Sequence, residues 1–103
     1  MTDKIRTPLV DRLLAVLAQM DDPDEVYALL QDLCTVREIA EMAQRLEVAR
    51  LLADKTSYVD IQQLTGASAT TISRVSKCLN YGAGGYEAAL SLMESKTGEE
   101  GDN

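Results

Sequence analysis

The amino-acid sequence predicts an all-α protein of about six helices, folded as one small domain. Apolar residues recur at intervals of three and four through most of the chain, and capping residues precede several of these stretches. The 103 residues include no phenylalanine or tryptophan, so the core must be built from leucine, valine, isoleucine, alanine and methionine. We interpret this composition as favouring helices, and the length suits a single domain.

The first two helices each start with a capping residue followed by proline. Thr7–Pro8 predicts a helix that runs to about Met20, and Asp22 with Glu25 is a capping-box pattern for a second helix over Pro23–Leu33. We interpret the acidic residues at the start of the second helix as a cap that suits the helix dipole, and not as a metal site. The first helix carries one apolar stripe: Leu9, Leu13, Val16, Leu17 and Met20.

The third helix is expected to be the longest. Thr35 and Glu38 form a further capping box, and the helix should continue to about Ala53. Its apolar residues spread over a wide arc: Ile39, Met42, Ala43, Leu46, Val48, Ala49, Leu51 and Leu52. Either this helix is the centre of a monomeric bundle or it forms a subunit interface, and we favour the interface.

Residues 57–80 read as a helix-turn-helix. Ser57 is the predicted cap of the first helix, Gly66 can take the left-handed conformation that ends it, and Ser68 caps the second helix. In the second helix, intervals of three and four give one buried stripe: Ile72, Val75 and Leu79.

The outward residues of this motif are small, hydroxyl-bearing or cationic. Such side chains let a helix approach the major groove of DNA, where hydroxyls bond phosphates or bases and arginine can pair with guanine. An ordinary surface helix of a bundle is the competing interpretation. The candidate DNA-binding residues are Tyr58, Gln62, Gln63, Ser68, Ala69, Thr70, Thr71, Ser73, Arg74 and Lys77.

After the motif, the glycine-rich segment 81–85 predicts a flexible loop. A last helix should follow from Tyr86 to about Glu94 or Lys96. We therefore place the folded domain at residues 1–96. The polar, acidic residues 97–103 have no apolar anchor, and they are expected to form a disordered tail.

The charge distribution limits the classes of molecule that this protein can bind. The chain carries a net charge of −7, which argues against a nonspecific nucleic-acid coat. Residues 56–86 have a net charge of +1, because their charged residues are Arg74, Lys77 and Asp60. The acidic residues therefore lie mostly outside the predicted DNA-binding motif. We expect a modest electrostatic contribution per subunit.

Several functional classes find no support in the sequence. The chain has no histidine, and its two cysteines, Cys34 and Cys78, fall in apolar helical positions, so we predict reduced core thiols and no metal or cofactor. Neither cysteine has an evident activating base, which argues against an enzyme. Charges interrupt every apolar run, and no signal peptide is visible, so we expect a cytoplasmic protein without membrane contact.

The helix-turn-helix resembles that of the tryptophan repressor family, and within it the repressor-related proteins of unassigned ligand. The resemblance implies a Trp repressor-like helical bundle that forms an intertwined homodimer. One ungapped register matches within the motif at Ser57, Gly66, Ala67, Thr71, Ile72, Arg74, Ser76 and Leu79. Before the motif it matches at Leu33, Thr35, Arg37, Glu38, Val48, Leu51 and Leu52.

The same resemblance bears on an effector. Tryptophan-sensing members hold the ligand between two arginines, over a glycine and near a serine, and here the matching positions are Arg74, Gln44 with Arg45 adjacent, Val75 and Cys78. Val75 adds bulk where a flat ring needs space, and Gln44 removes a cation. We therefore expect no tryptophan dependence, leave the effector unidentified, and suggest that Val75 fills the slot permanently.

These observations together predict a transcriptional regulator, a repressor that binds a palindromic double-stranded DNA operator as a homodimer. The alternative is a helical protein-protein interaction module that keeps the repressor fold, which the net acidity and the few basic residues of the motif favour. Salt dependence separates the two, because phosphate contacts weaken steeply with salt.

Overall fold

Six α-helices follow one another along the part of the chain that the structure describes. This structure is a computed structural model that describes residues 6–101, with side chains to Glu94. The helices are α1 (Pro8–Gln19), α2 (Pro23–Leu33), α3 (Val36–Ala53), α4 (Tyr58–Thr65), α5 (Ala69–Tyr81) and α6 (Gly85–Gly101). The predicted all-α class and the number of helices are confirmed.

The capping residues of α1 and α2 lie where the sequence placed them. The Thr7 hydroxyl accepts a hydrogen bond from the N–H of Val10 at 3.3 Å. The Asp22 carboxylate accepts one from the N–H of Asp24 at 3.0 Å, and a proline occupies the first turn of each helix. Each side chain satisfies a backbone donor that the first turn of a helix leaves without a partner.

The capping box at the start of α3 is complete. The N–H of Glu38 donates to the Thr35 hydroxyl at 3.0 Å, and the N–H of Thr35 donates to the Glu38 carboxylate at 2.8 Å. These hydrogen bonds from Thr35, the backbone one first, lower the pKa of the Glu38 carboxyl from its ordinary value of 4.5. The ionised form of Glu38 therefore stabilises the beginning of α3, the longest helix among the described residues.

Glu38→Ala should destabilise the protein at neutral pH but not in acid. Because the folded-state pKa of Glu38 is lowered, its contribution is present above the unfolded pKa and is lost as the pH falls through the lower folded pKa. Urea unfolding of wild type and variant at several pH values between roughly 7 and 3 measures the difference in unfolding free energy. This interval includes the pH at which a carboxyl titrates. A difference in unfolding free energy that stayed constant to the acid end would contradict it.

The chain divides into two compact units, with the boundary between Ile39 and Ala40. In the first unit, neither α1 nor α2 contains a buried residue. Leu9 of α1 is 74% exposed and Val36 is 85% exposed, and several further large apolar side chains of this unit are exposed: Leu13, Leu14, Val16, Tyr27 and Leu33. The apolar stripe predicted for α1 therefore exists, but the single chain leaves most of it uncovered.

The second unit contains the buried core. This core joins residues of α3, α4, the turn after α4, and α5, and the partly buried Leu52 and Tyr86 pack against it. α5 contacts both α4 and α6. The buried side chains are Val48, Ala49, Leu51, Ile61, Ala67, Ile72 and Val75.

Several expectations about burial need correction. α3 buries only its C-terminal part, whereas Met42 is exposed and Leu46 is half-buried. In α5, Leu79 is half-buried and not fully inside the predicted stripe. Cys34 follows the end of α2 and is half-buried, and Cys78 is exposed, so the prediction that both thiols are core residues was wrong, although both are free.

The ends of α5 and α6 also differ from expectation. α5 continues to Tyr81 and α6 begins at Gly85, so the connecting loop is shorter than predicted. The backbone of α6 is helical as far as Gly101, beyond the expected end at Glu94 or Lys96. α6 therefore includes residues 97–101 of the segment 97–103, for which we expected disorder. Residues 102 and 103 lie outside the described ones, and disorder of the segment stays a prediction.

None of the helices within residues 6–101 is both long and apolar enough to cross a membrane.

Candidate nucleic-acid interface

The helix-turn-helix of α4 and α5 forms as its capping residues predict. The N–H of Asp60 donates to the Ser57 hydroxyl at 3.2 Å, which caps α4. α4 ends at Gly66, whose φ of 76° lies in the left-handed region and whose N–H donates to the Gln62 carbonyl at 2.9 Å. Glycine suits this position because it has no Cβ to oppose a positive φ.

α5 is held by a cap at its start and by packing along one side. The Ser68 hydroxyl accepts from the N–H of Thr71 at 3.1 Å and lies 3.2 Å from the Thr71 hydroxyl. Ile72 and Val75 are buried in the core, at 0% and 2% exposure. The opposite side of α5 is therefore the surface that the motif presents to solvent.

Four exposed residues of α5 lie on one face: Thr70, Ser73, Arg74 and Lys77, which we call the outer face. Their intervals of three, four and seven place them on the same side of a helix. The first turn of α5 contains no acidic residue. Two cations and two hydroxyls thus share one surface of a helix whose own sequence contains no carboxylate.

The cations of the outer face form no ion pair with any side chain between residues 6 and 94. Among the described residues, neither Arg74 nor Lys77 forms a salt bridge, whereas Arg50 is paired with Glu47 at 2.6 Å and Asp54 at 3.5 Å. The hydrogen bond from Arg50 lowers the pKa of the Glu47 carboxyl. Within the described side chains, Arg74 and Lys77 can therefore meet a polyanion without first breaking an ion pair.

The other predicted DNA-binding residues occupy three different settings. Tyr58, Gln62 and Gln63 are exposed on α4, and Ala69 is exposed in the first turn of α5. Ser68 is exposed, but its hydroxyl already serves as the cap. Thr71 is half-buried on the flank of α5, where it lines a groove together with Arg74 of the outer face. Thr71 is therefore less accessible than the outer face, and its role in DNA binding stays a prediction.

That flank opens onto a groove of about 270 Å³ between α3, α5 and α6. All five residues that the sequence suggested for an effector pocket line it: Gln44, Arg45, Arg74, Val75 and Cys78. Their role as an effector pocket stays a prediction. Sequence reasoning missed three further lining residues: Glu41, Thr71 and Tyr86.

The three missed residues differ in whether a pattern in the sequence could have indicated them. Glu41 lies one helical turn before Gln44 and Arg45, and Thr71 lies one turn before Arg74 and Val75, so helical spacing alone could have found both. Tyr86 comes from α6 across the loop after α5, and no local pattern connects it with the other elements.

Two residues with a positive φ, Gly66 and Lys55, give predictions of opposite sign for the free energy of unfolding. Gly66→Ala should lower the free energy of unfolding by about 1 kcal/mol, because alanine resists the φ of 76°. Lys55 already adopts a φ of 66° after α3, so Lys55→Gly should raise that free energy by up to about 1 kcal/mol. Urea unfolding of both variants tests this. Changes of the same sign would contradict it.

Both the sequence and the fold of this chain are similar to those of known proteins. Residues 9–94 match the family model described as Trp repressor protein. The chain is 47% identical over 92 residues to YerC of Bacillus subtilis (strain 168), described as an uncharacterized protein, covering 89% of this chain and 88% of YerC. It is also similar to the crystal structure of a TrpR-like protein from Eubacterium eligens, with a TM-score of 0.85, 40% identity, and coverage of 90% and 96%.

Proposed function

This chain belongs to the Trp repressor family, and from that premise we propose that it is a sequence-specific DNA-binding regulator of transcription. The resemblance of the helix-turn-helix to this family is confirmed, and the matched residues extend from α1 into α6. The outer face of α5 is the observation that carries the proposal. Its exposed cations, Arg74 and Lys77, lie beside two exposed hydroxyls that suit contacts with phosphates and base edges.

We propose that the active form is a homodimer acting as a repressor on a palindromic operator. The support is the exposed apolar side of the first unit, where Leu9, Leu13 and Val16 follow helical spacing and remain uncovered. Exposed apolar surface of this kind marks an interaction site in many proteins. In a symmetric dimer, two copies of α5 would enter successive major grooves about 34 Å apart.

The dependence of binding on salt tests the proposal. Arg74 and Lys77 of both subunits would displace counterions from the phosphates, so the affinity for duplex DNA should fall steeply between about 50 and 200 mM salt. Fluorescence anisotropy with a labelled duplex measures this slope. Affinity for DNA that did not change with salt would contradict contacts through these cations.

A helical protein-protein interaction module is the second candidate. It is favoured by the net charge of −7 and by two exposed apolar residues of α4, Val59 at 61% and Leu64 at 69%. An apolar protein interface changes little with salt, whereas phosphate contacts weaken. A chain that bound no duplex at any salt concentration, yet formed a salt-insensitive complex with another protein, would favour this candidate.

We propose that DNA binding does not depend on tryptophan. Val75 stands where tryptophan-sensing members have a glycine, and its branched side chain is buried in the core. Gln44, which replaces an arginine, offers no charge to a ligand's carboxylate. Calorimetry with tryptophan and other amino acids tests this, and tight binding of tryptophan would contradict it.

We propose no enzymatic activity, and a regulator of this kind would act in the cytoplasm.

A further inference from the structure

One side-chain hydrogen bond connects α3 with the turn of the helix-turn-helix. The half-buried Gln44 of α3 donates its amide N–H to the carbonyl of Thr65 at 3.1 Å, across 21 positions in the sequence. Thr65 is the last residue of α4. A Cβ built on the next residue, Gly66, would lie 4.0 Å from the Gln44 nitrogen, so the amide lies close beside the turn.

Thr65 is itself the centre of the hydrogen bonds within the turn. Its hydroxyl donates to the carbonyl of Ile61 at 2.7 Å and accepts from the N–H of Ala67 at 3.1 Å. Ser68, the cap of α5, follows Ala67 directly. A group that holds the Thr65 carbonyl therefore also holds the backbone from which α5 starts.

We propose that Gln44 is a positioning residue that fixes the start of α5 against α3, in the place of a bound effector. α5 is then held at two points, at its start through Gln44 and Thr65 and along its length by the buried Val75. The contact would keep the outer face in one orientation without any ligand. The consequence for DNA affinity rests on the proposed function, whereas the consequence for the turn does not.

Two variants of Gln44 test this, with a matched control. Gln44→Glu keeps the shape of the side chain but replaces the donor by a carboxylate that repels the Thr65 carbonyl, and Gln44→Ala removes the group. Backbone amides of residues 66–72 should exchange with solvent about threefold to tenfold faster in both variants, the effect expected for losing one hydrogen bond. Gln31→Glu makes the same chemical change at an exposed position of α2 and should leave these amides unchanged.

Acid provides a rescue that a loss of packing would not show. At a pH below its pKa, the carboxyl introduced by Gln44→Glu carries an O–H that can donate to Thr65 again. Exchange relative to wild type at the same pH should then recover in Gln44→Glu but not in Gln44→Ala. Both variants retain the other charged or titratable groups that line the groove: Glu41, Arg45, Arg74, Cys78 and Tyr86.

The outcomes separate this inference from the proposed function. If wild type binds a duplex, Gln44→Glu and Gln44→Ala should each weaken that binding about tenfold at neutral pH. Wild-type exchange at residues 66–72 in both variants overturns the inference, and so does faster exchange with unchanged DNA affinity. Faster exchange in a protein that binds no duplex supports the role of Gln44 in the turn, while the proposed function fails.

Discussion

Arg74→Ala should weaken binding to a specific operator by about 1–3 kcal/mol. Arg74 is exposed on α5, forms no salt bridge within the described part of the chain, and lies beside Ser73 one turn before Lys77. A guanidinium in this position can donate two hydrogen bonds to guanine, or it can pair with a phosphate. Anisotropy titrations of wild type and variant at one salt concentration measure the loss.

The pattern of the loss identifies the contact. If Arg74 reads a base, the variant should lose affinity for the operator and also its preference for the correct base at one position. Equal weakening on all sequences would identify a phosphate contact. Arg12→Ala removes the same side chain from an exposed position of α1 and should leave the affinity unchanged at a protein concentration where wild type and variant have the same oligomeric state. Unchanged affinity in Arg74→Ala would contradict the assignment of the outer face.

Ile61→Ala should have the largest effect on stability, a loss of about 2–5 kcal/mol in the free energy of unfolding. Ile61 is the one residue of α4 that is fully buried, and it packs in the core with α3 and α5. Its removal leaves a cavity under the helix-turn-helix, since the surrounding side chains relax only in part. This is a large fraction of the stability of a small domain, which is about 5–15 kcal/mol.

Val59→Ala is the matched control for this stability prediction. It also shortens a branched apolar side chain on α4, but Val59 is 61% exposed, so the change should stay within about 0.5 kcal/mol. Urea unfolding at one protein concentration measures both variants, because the apparent stability of the proposed dimer would depend on concentration. Equal losses in the two variants would contradict the burial that distinguishes the two sides of α4.

The helix starts were the most predictable part of this fold, because a cap is a contact between residues two or three positions apart. The spacing of polar and apolar residues therefore contains most of the information about these positions. Each predicted capping residue accepts a hydrogen bond from its own helix: Thr7, Asp22, Thr35, Ser57 and Ser68. The left-handed end of α4 at Gly66 was predictable for the same reason.

Burial was less predictable, because it depends on which elements meet. The pattern of α3 is apolar over a wide arc, yet the chain buries Val48, Ala49 and Leu51 while Met42 remains exposed. Cys78 follows the apolar spacing of α5 but is exposed beside the groove. Local periodicity identifies a face that can be buried, and it does not say whether the chain itself supplies the residues that cover it.

The candidate site was predictable in its membership and not in its contacts. Helical spacing separated the outer face from the core, and the family resemblance brought Gln44, Val75 and Cys78 together before the groove was known. The hydrogen bond from Gln44 to Thr65 joins two elements 21 residues apart, so no local pattern indicates it. Gln44, where the resemblance implies the loss of a ligand contact, thus supplies a contact within the chain.

Selection of bound sequences from a random pool of duplex DNA tests the central claim most directly. The full chain would be incubated at about 100–150 mM salt, a concentration that suppresses nonspecific contacts, with and without tryptophan. We predict enrichment of a palindrome in both conditions, with half-sites spaced for two copies of α5 in successive major grooves. A folded dimer that enriched no sequence in either condition would contradict the claim that this protein is a sequence-specific regulator.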